Sequence, residues 1–192
     1  MTIAEEKRAQ RAAALAARAA LDRERRAAND RAIAARVLAL PQFARARLIF
    51  SYCRALPGEA DPAAIDEAAR RAGKRVAYPL CAKGGRMEAA EPLGEDALQR
   101  GLHGIPEPVP DRCRMIAPEE IDFILLPCAA FDEGCRRLGM GGGYYDRFLP
   151  RCPGAFRLLL AYEVQRLPRV AAEDHDVFAD AAATEARLLL RV

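Results

Sequence analysis

The sequence predicts an α/β protein in three layers, with a mostly parallel central sheet, helices on both faces and a long N-terminal helical segment in front. Three observations predict it. Residues 5–40 are rich in Ala, Arg and Leu and contain neither Gly nor Pro, a composition with strong intrinsic helix propensity. After Pro41 the pattern changes to short apolar runs such as Phe123-Ile124-Leu125-Leu126, which suit strands buried on both faces. These runs alternate with helical stretches and turn residues, the order that builds a parallel sheet through crossover helices. A chain of 192 residues, 52% of them hydrophobic, matches one domain spanning 1–192.

In the N-terminal segment, Leu15, Ala19, Ile33, Val37 and Leu40 recur at helical spacing, and Asn29-Asp30 marks a break or cap between two helices. The acids Glu5, Glu6, Asp22, Glu24 and Asp30, with little Ser, argue against an organelle-targeting leader. Leu48 to Cys53 is the first predicted strand. Asp61-Pro62 then offers an N-cap and a first-turn proline to a helix that Gly73 ends. Arg75 to Leu80 reads as a strand, Glu95 to Leu102 as a short helix, and Phe123 to Leu126 as a strand. Leu158 to Tyr162 and Ala186 to Leu190 supply two more.

Composition narrows the function. With 30 basic residues against 27 acidic, the net charge of +3 lacks the excess of a protein that coats nucleic acid. Any anion site is therefore local. Every apolar run is interrupted by charge before the roughly 20 residues a membrane helix needs, so a soluble protein is expected. The six cysteines form no C-x-x-C pair, no secretory leader stands in front, and the two histidines, His103 and His175, lie far apart. Reduced, packed thiols in the cytoplasm are expected, and no zinc site.

The densest signal runs from Phe131 to Leu149, after the predicted strand that ends near Pro127. In open α/β sheets, ligands bind where strands end and loops lead into helices. Gly139, Gly141, Gly142 and Gly143 leave backbone N–H groups open to an anion, and Tyr144 to Leu149 resumes a helical pattern whose start faces the same ligand. Arg137 adds a planar cation that can hold phosphate oxygens at two points, and Asp146 a hard oxygen suited to Mg²⁺. The run is neither a P-loop nor a dinucleotide fingerprint, and by itself is a weak signal.

The whole string is more specific. Arg137-Leu138-Gly139-Met140-Gly141-Gly142-Gly143-Tyr144-Tyr145-Asp146, preceded by Pro127-x-x-Ala130-Phe131-Asp132, resembles the signature of the 5-formyltetrahydrofolate cyclo-ligase (methenyltetrahydrofolate synthetase) family. The resemblance extends over nearly the whole chain: Lys7 and Arg11, Gly58-Glu59, Gly104-Ile105-Pro106-Glu107-Pro108, Gln165, His175 to Asp180, and Thr184-Glu185 follow in order. Two positions depart from it. Cys128 stands where glycine is frequent, and Met140 holds a variable position, which lowers the expected ATP affinity slightly and leaves the reaction unchanged.

The resemblance implies an ATP-dependent conversion of 5-formyltetrahydrofolate, polyglutamated or not, to 5,10-methenyltetrahydrofolate, with release of ADP and phosphate and without a covalent nucleophile; a monomer is expected. It implies ATP contacts at Lys7, Arg8, Arg11, Arg137, Leu138, Gly139, Met140, Gly141, Gly142, Gly143, Tyr144 and Tyr145, so that segment 1–40 joins the nucleotide site. It implies folate contacts at Arg54 and Glu59, and Mg²⁺ held by Asp146 and Asp176. Lys7 and Arg11, four apart, share a helical face; without the resemblance they read as ordinary solvated surface. A phosphosugar or acyl-CoA enzyme on a related scaffold is the alternative, disfavoured by the Tyr-Tyr-Asp extension. A nucleic-acid module resting on the Arg-rich N-terminal helix is weaker still.

Overall fold

The structure, a computed structural model, describes residues 2–53, 58–101, 104–173 and 176–191. Helix α1 (Ile3–Ala19) opens with a capping box: the Thr2 hydroxyl accepts from the Glu5 N–H and the Glu5 carboxylate accepts from the Thr2 N–H, satisfying donors a helix start leaves open. Asp22 caps α2 (Arg23–Leu38) by accepting from the Arg25 N–H at 2.7 Å. The break between the helices therefore falls at residues 20–22 rather than at Asn29-Asp30. Asp30 sits inside α2 because its carboxylate has tertiary work, accepting from the Tyr162 hydroxyl at 2.8 Å and the Asp61 N–H at 3.1 Å. Ile33, Val37 and Leu40 are buried as their spacing predicts, whereas α1 buries Ala14 and Arg18 in place of Leu15 and Ala19.

A short helix α3 (Pro41–Arg45) leads into β1 (Leu48–Phe50), and α4 (Ala63–Arg71) returns the chain to β2 (Arg75–Ala82). Pro62 precedes α4, and Gly73, at φ +74°, follows it. The chain continues through β3 (Arg86–Pro92), β4 (Leu98–Arg100), β5 (Pro106–Pro108), β6 (Cys113–Ile116), β7 (Phe123–Pro127), β8 (Ala130–Phe131) and β9 (Arg137–Leu138). It ends with α5 (Tyr144–Phe148), β10 (Phe156–Leu160), β11 (Ala181–Ala183) and β12 (Leu188–Leu190).

Among the described residues the main sheet runs in the order β12-β11-β10-β7-β1-β2-β3-β6. From β11 to β2 neighbouring strands are parallel, while β12 on one side and β3 and β6 on the other are antiparallel. Alternation along each strand divides the core in two. Ile49, Phe123, Leu125, Leu158 and Leu160 pack beneath α2, α3 and α4, against Ile33, Val37, Phe43 and Ile65. Phe50, Ile124, Leu126 and Leu159 face the other way, onto Phe148 and Leu149. The Phe50 and Phe148 rings lie 4.8 Å apart. The second helical layer is thin: α5 has five residues and is continued by a single 3₁₀ turn.

Two local expectations are corrected. Glu95 to Leu102 is not a helix: residues 95–97 form one 3₁₀ turn, and 98–100 pair antiparallel with β5. Leu102 lies outside the described residues. Among the described side chains of this stretch only Ala97 is buried, so they form no apolar face to hold a helix down, and pairing to the 106–108 edge decides instead. The strand predicted at 186–190 is shorter, and β12 runs antiparallel at the sheet edge with Leu188 and Leu190 exposed.

Candidate active site

At the carboxyl ends of β1, β2 and β7 lies a cavity of about 770 Å³. Its walls come from α1, the segments after β1 and β7, the second half of β2, β3, β5, the 139–143 loop and the start of α5, with Glu173 and Asp176 from the C-terminal region. Lys7, Arg8, Arg11, Glu59, Arg137, Leu138, Gly139, Met140, Gly141, Gly142, Gly143, Tyr144, Tyr145, Asp146 and Asp176, separated by as many as 169 positions in sequence, all line this one cavity. Arg54 lies outside the described residues, as do Pro57 of the predicted turn and His175 of the C-terminal motif.

One end of the cavity is charged. Lys7 Nζ donates to Asp176 Oδ2 at 2.6 Å and to Glu173 Oε2 at 2.7 Å. Desolvation works against the ammonium, but the two carboxylates more than offset it and hold the Lys7 pKa above its ordinary value. One turn on, Arg11 Nε donates to the Gly139 carbonyl at 2.8 Å, which ties α1 to the glycine loop. Arg8 is exposed beside them. Arg137 is buried, its Nη2 2.8 Å from Asp146 Oδ1 and its guanidinium over the Tyr145 ring. The predicted phosphate cation and the predicted metal carboxylate are thus each other's partners.

Gly141 at φ +98° and Gly143 at φ +64° occupy backbone conformations that L side chains rarely adopt. A Cβ on Gly143 would also stand 2.8 Å from Arg147 Nη1. Arg147 pins the loop from outside, donating to the Gly142 carbonyl at 2.6 Å and to the Gly85 carbonyl, in the β2–β3 turn, at 3.0 Å. Buried Gln165 braces the backbone behind it: its Nε2 donates to the Cys128 and Ala129 carbonyls at 2.9 and 3.0 Å. Asp132 accepts from the Arg136 and Val170 N–H groups, each at 3.0 Å. Two residues of the sequence signature are therefore structural braces.

The other end is apolar, lined by Tyr52, Pro79, Met87, Ile105 and Pro106 with the thiols of Cys53, Cys81 and Cys128. Two carboxylates, Glu59 and Glu107, are buried in it, 6% and 5% exposed. Burial, reinforced by nearby acids, pushes the Cys53 thiol to about 12 and Cys81 to about 11; burial also drives Cys128 to about 12. All three are neutral at physiological pH and unsuited to nucleophilic attack. Sequence reasoning missed Glu173 and gave Glu107 no role, although Glu107 lies within a recognised motif; both are single loop or edge carboxylates, which only the fold brings to the cavity.

The model of the 5-formyltetrahydrofolate cyclo-ligase family matches residues 3–185. The chain belongs to this family. It is 31% identical over 134 residues, 69% of this chain and 73% of the other, to the 5-formyltetrahydrofolate cyclo-ligase of Escherichia coli strain K12. The solution structure of 5,10-methenyltetrahydrofolate synthetase from Aquifex aeolicus superposes with a TM-score of 0.83 at 30% identity, covering 96% of this chain and 92% of that one. A Mycoplasma pneumoniae 5,10-methenyltetrahydrofolate synthetase shares the fold, with a TM-score of 0.76 at 23% identity over 94% of this chain and 99% of that one. The cyclo-ligase family pattern thus spans α1 and the strands β10 and β11 as well as the glycine loop. None of the helices among the described residues is long and apolar enough to cross a membrane.

Proposed function

We propose that the chain is an ATP-dependent 5-formyltetrahydrofolate cyclo-ligase that forms 5,10-methenyltetrahydrofolate, ADP and phosphate. Beyond family membership, the observation that carries this reading is the single cavity with two unlike ends. The glycine loop with Lys7, Arg11 and Arg137 suits a polyphosphate, and the apolar slot with buried carboxylates suits a flat ring bearing N–H donors. In the reaction the formyl oxygen takes the γ-phosphoryl group and ADP leaves. The neighbouring folate nitrogen N10 then bonds to the activated carbon, its proton departs, and the C–O bond breaks to release phosphate.

The chain's part in this chemistry is to hold both substrates in one dry cleft and to meet the moving charge. Arg8, Leu138, Met140, Tyr144 and Tyr145 are read as further nucleotide contacts and Glu59 as a folate contact, as is Arg54 by the resemblance alone. Raised thiol pKa values support the absence of a covalent cysteine intermediate. Among the described residues no three acids, histidines or cysteines cluster closely enough to hold a metal by themselves. Asp146 and Asp176, which line the same cavity as the glycine loop, nevertheless suit Mg²⁺, which takes one or two carboxylates and completes its shell with phosphate and water. When bound, the ion supplies charge neutralisation at the phosphoryl oxygens.

One chain supplies both ends of the cavity, which supports a monomer built as one α/β unit in which residues 1–40 are part of the site. Six free thiols support a reducing, cytoplasmic setting. The test is to supply ATP with 5-formyltetrahydrofolate and follow methenyl product by absorbance beside ADP release. One ADP per methenyl group, and no ATP turnover without the folate, is the expected result. ATP turnover driven instead by a phosphosugar or an acyl donor would overturn it.

A further inference from the structure

Glu107 is the most conspicuous polar group in the cavity that the reaction as described leaves unused. Its side chain projects from β5, 5% exposed, into the apolar end. One carboxylate oxygen, Oε2, accepts from the Cys81 N–H at 3.3 Å. The other, Oε1, is shut off from water and meets no hydrogen-bond donor among the described residues. A buried carboxylate oxygen without a donor is costly, so it marks a place where a ligand's N–H has something to gain. The backbone makes room for it: a Cβ on Gly101 would fall 2.2 Å from the Glu107 carboxyl carbon. Pro79, Cys81, Met87, Ile105 and Pro106 form the surrounding wall.

We infer that Glu107 is a specificity-determining acceptor for the donor edge of the pteridine ring, the 2-amino group and the adjoining ring N–H. This rests on the folate reading of the cavity. A reduced pteridine is flat and largely apolar on its faces, and it carries two N–H donors side by side on one edge, spaced to meet a carboxylate. The walls around Glu107 are apolar and its free oxygen lacks only a donor. A ring without that edge leaves the oxygen unsatisfied, which makes the contact a filter against other bicyclic ligands. Glu59, in the segment after β1, is left to the remainder of the folate.

The experiment measures binding of 5-formyltetrahydrofolate, of its 2-desamino analogue and of a non-hydrolysable ATP analogue to the wild type, Glu107→Gln, Gly101→Ala and Glu59→Gln. Glu107→Gln is expected to weaken folate roughly 10- to 100-fold, the usual worth of a hydrogen bond to a charged group, and to leave the ATP analogue within about twofold. Removing the 2-amino group should cost the wild type a similar factor and Glu107→Gln little more, because the two changes delete one contact. Gly101→Ala keeps the carboxylate but displaces it, and should also weaken folate selectively. If the wild type binds no folate, the proposed function fails. If it binds folate while Glu107→Gln and Gly101→Ala bind it normally, or the 2-amino coupling falls on Glu59 instead, the assignment of Glu107 is overturned and the function stands.

Discussion

The two ends of the cavity handle charge in opposite ways. At the end proposed for the nucleotide, cations and carboxylates are already matched, Lys7 with Glu173 and Asp176, Arg137 with Asp146. At the end proposed for the folate, Glu59 and Glu107 are buried in a wall shared with Tyr52, Pro79, Met87 and Ile105. Matched pairs keep mobile, strongly hydrated groups in place and can exchange partners when phosphate arrives, with little change in buried charge. Glu107 Oε1, which meets no donor among the described residues, is fixed in a low-dielectric wall and discriminates by what would satisfy it. Changes at the first end should therefore appear in ATP affinity and salt dependence, and changes at the second in folate selectivity.

The strongest way to break this division is Gly143→Val. The residue is at φ +64° and its new side chain would meet Arg147, so the loop must move, and displacement of about 1 Å near reacting groups costs on the order of 100-fold in rate. Turnover should fall at least that far and the ATP analogue should stop binding, while folate still binds. A variant with near wild-type turnover would remove the loop from the nucleotide path.

Next in size are Lys7→Ala and Arg11→Ala, each expected to raise the ATP KM by about tenfold, the worth of one charge-assisted hydrogen bond. Folate affinity should hold. Because the attraction is partly Coulombic, the wild-type ATP KM should rise with ionic strength more steeply than that of either variant. Unchanged ATP kinetics in both would return this face of α1 to ordinary surface. Glu59→Gln reverses the pattern: folate binding should weaken several-fold, about 1 kcal/mol, with the ATP analogue unaffected. Titrations that show equal losses for both ligands would mean that the two ends are not separable.

The same contrast explains what was legible in the sequence. Strands β1, β7 and β10 could be found because they lie between two layers, which makes Leu48–Phe50, Phe123–Leu126 and Leu158–Leu160 continuous apolar runs, and the proposed nucleotide end because glycine, arginine and aspartate are concentrated in one short string. Strand β2 was legible too, from Arg75 to Leu80, but its antiparallel extension through β3 and β6 was not. Met87-Glu88-Ala89-Ala90 favours helix locally, so only pairing of Tyr78 with Ala90 and of Ala89 with Ile116 makes β3 a strand. Glu107 was hidden for the same reason, since its burial is produced by that folding. Asn29-Asp30 misled because a cap-forming residue whose side chain is engaged by Tyr162 and Asp61 no longer competes with its own helix.

The smallest expected effect on turnover sharpens the comparison, because it concerns a buried carboxylate near the folate end that does not face the cavity. Asp66 on α4 is 3% exposed and accepts from the Tyr78 hydroxyl at 2.8 Å. Burial lifts its pKa to about 6 from an ordinary 3.8, against the pull of its hydrogen bonds and of Arg70. A carboxyl raised in this way binds more protons folded than unfolded, so its contribution to stability must fall as pH rises from about 4 to about 6 and level off above that. Two pKa units set the ceiling near 3 kcal/mol, and relaxation around the site brings the expectation to about 1–3 kcal/mol. Asp66→Asn removes the ionisation but keeps an acceptor for Tyr78. Urea unfolding at a series of pH values should show the variant gaining on the wild type across that window, with folate and ATP affinities unchanged at pH 7. Parallel stability curves would mean that Asp66 does not titrate in the window. A loss of folate affinity would place it in the binding wall with Glu59 and Glu107, and buried carboxylates at this end would no longer divide into those that face the ligand and those that only hold the fold.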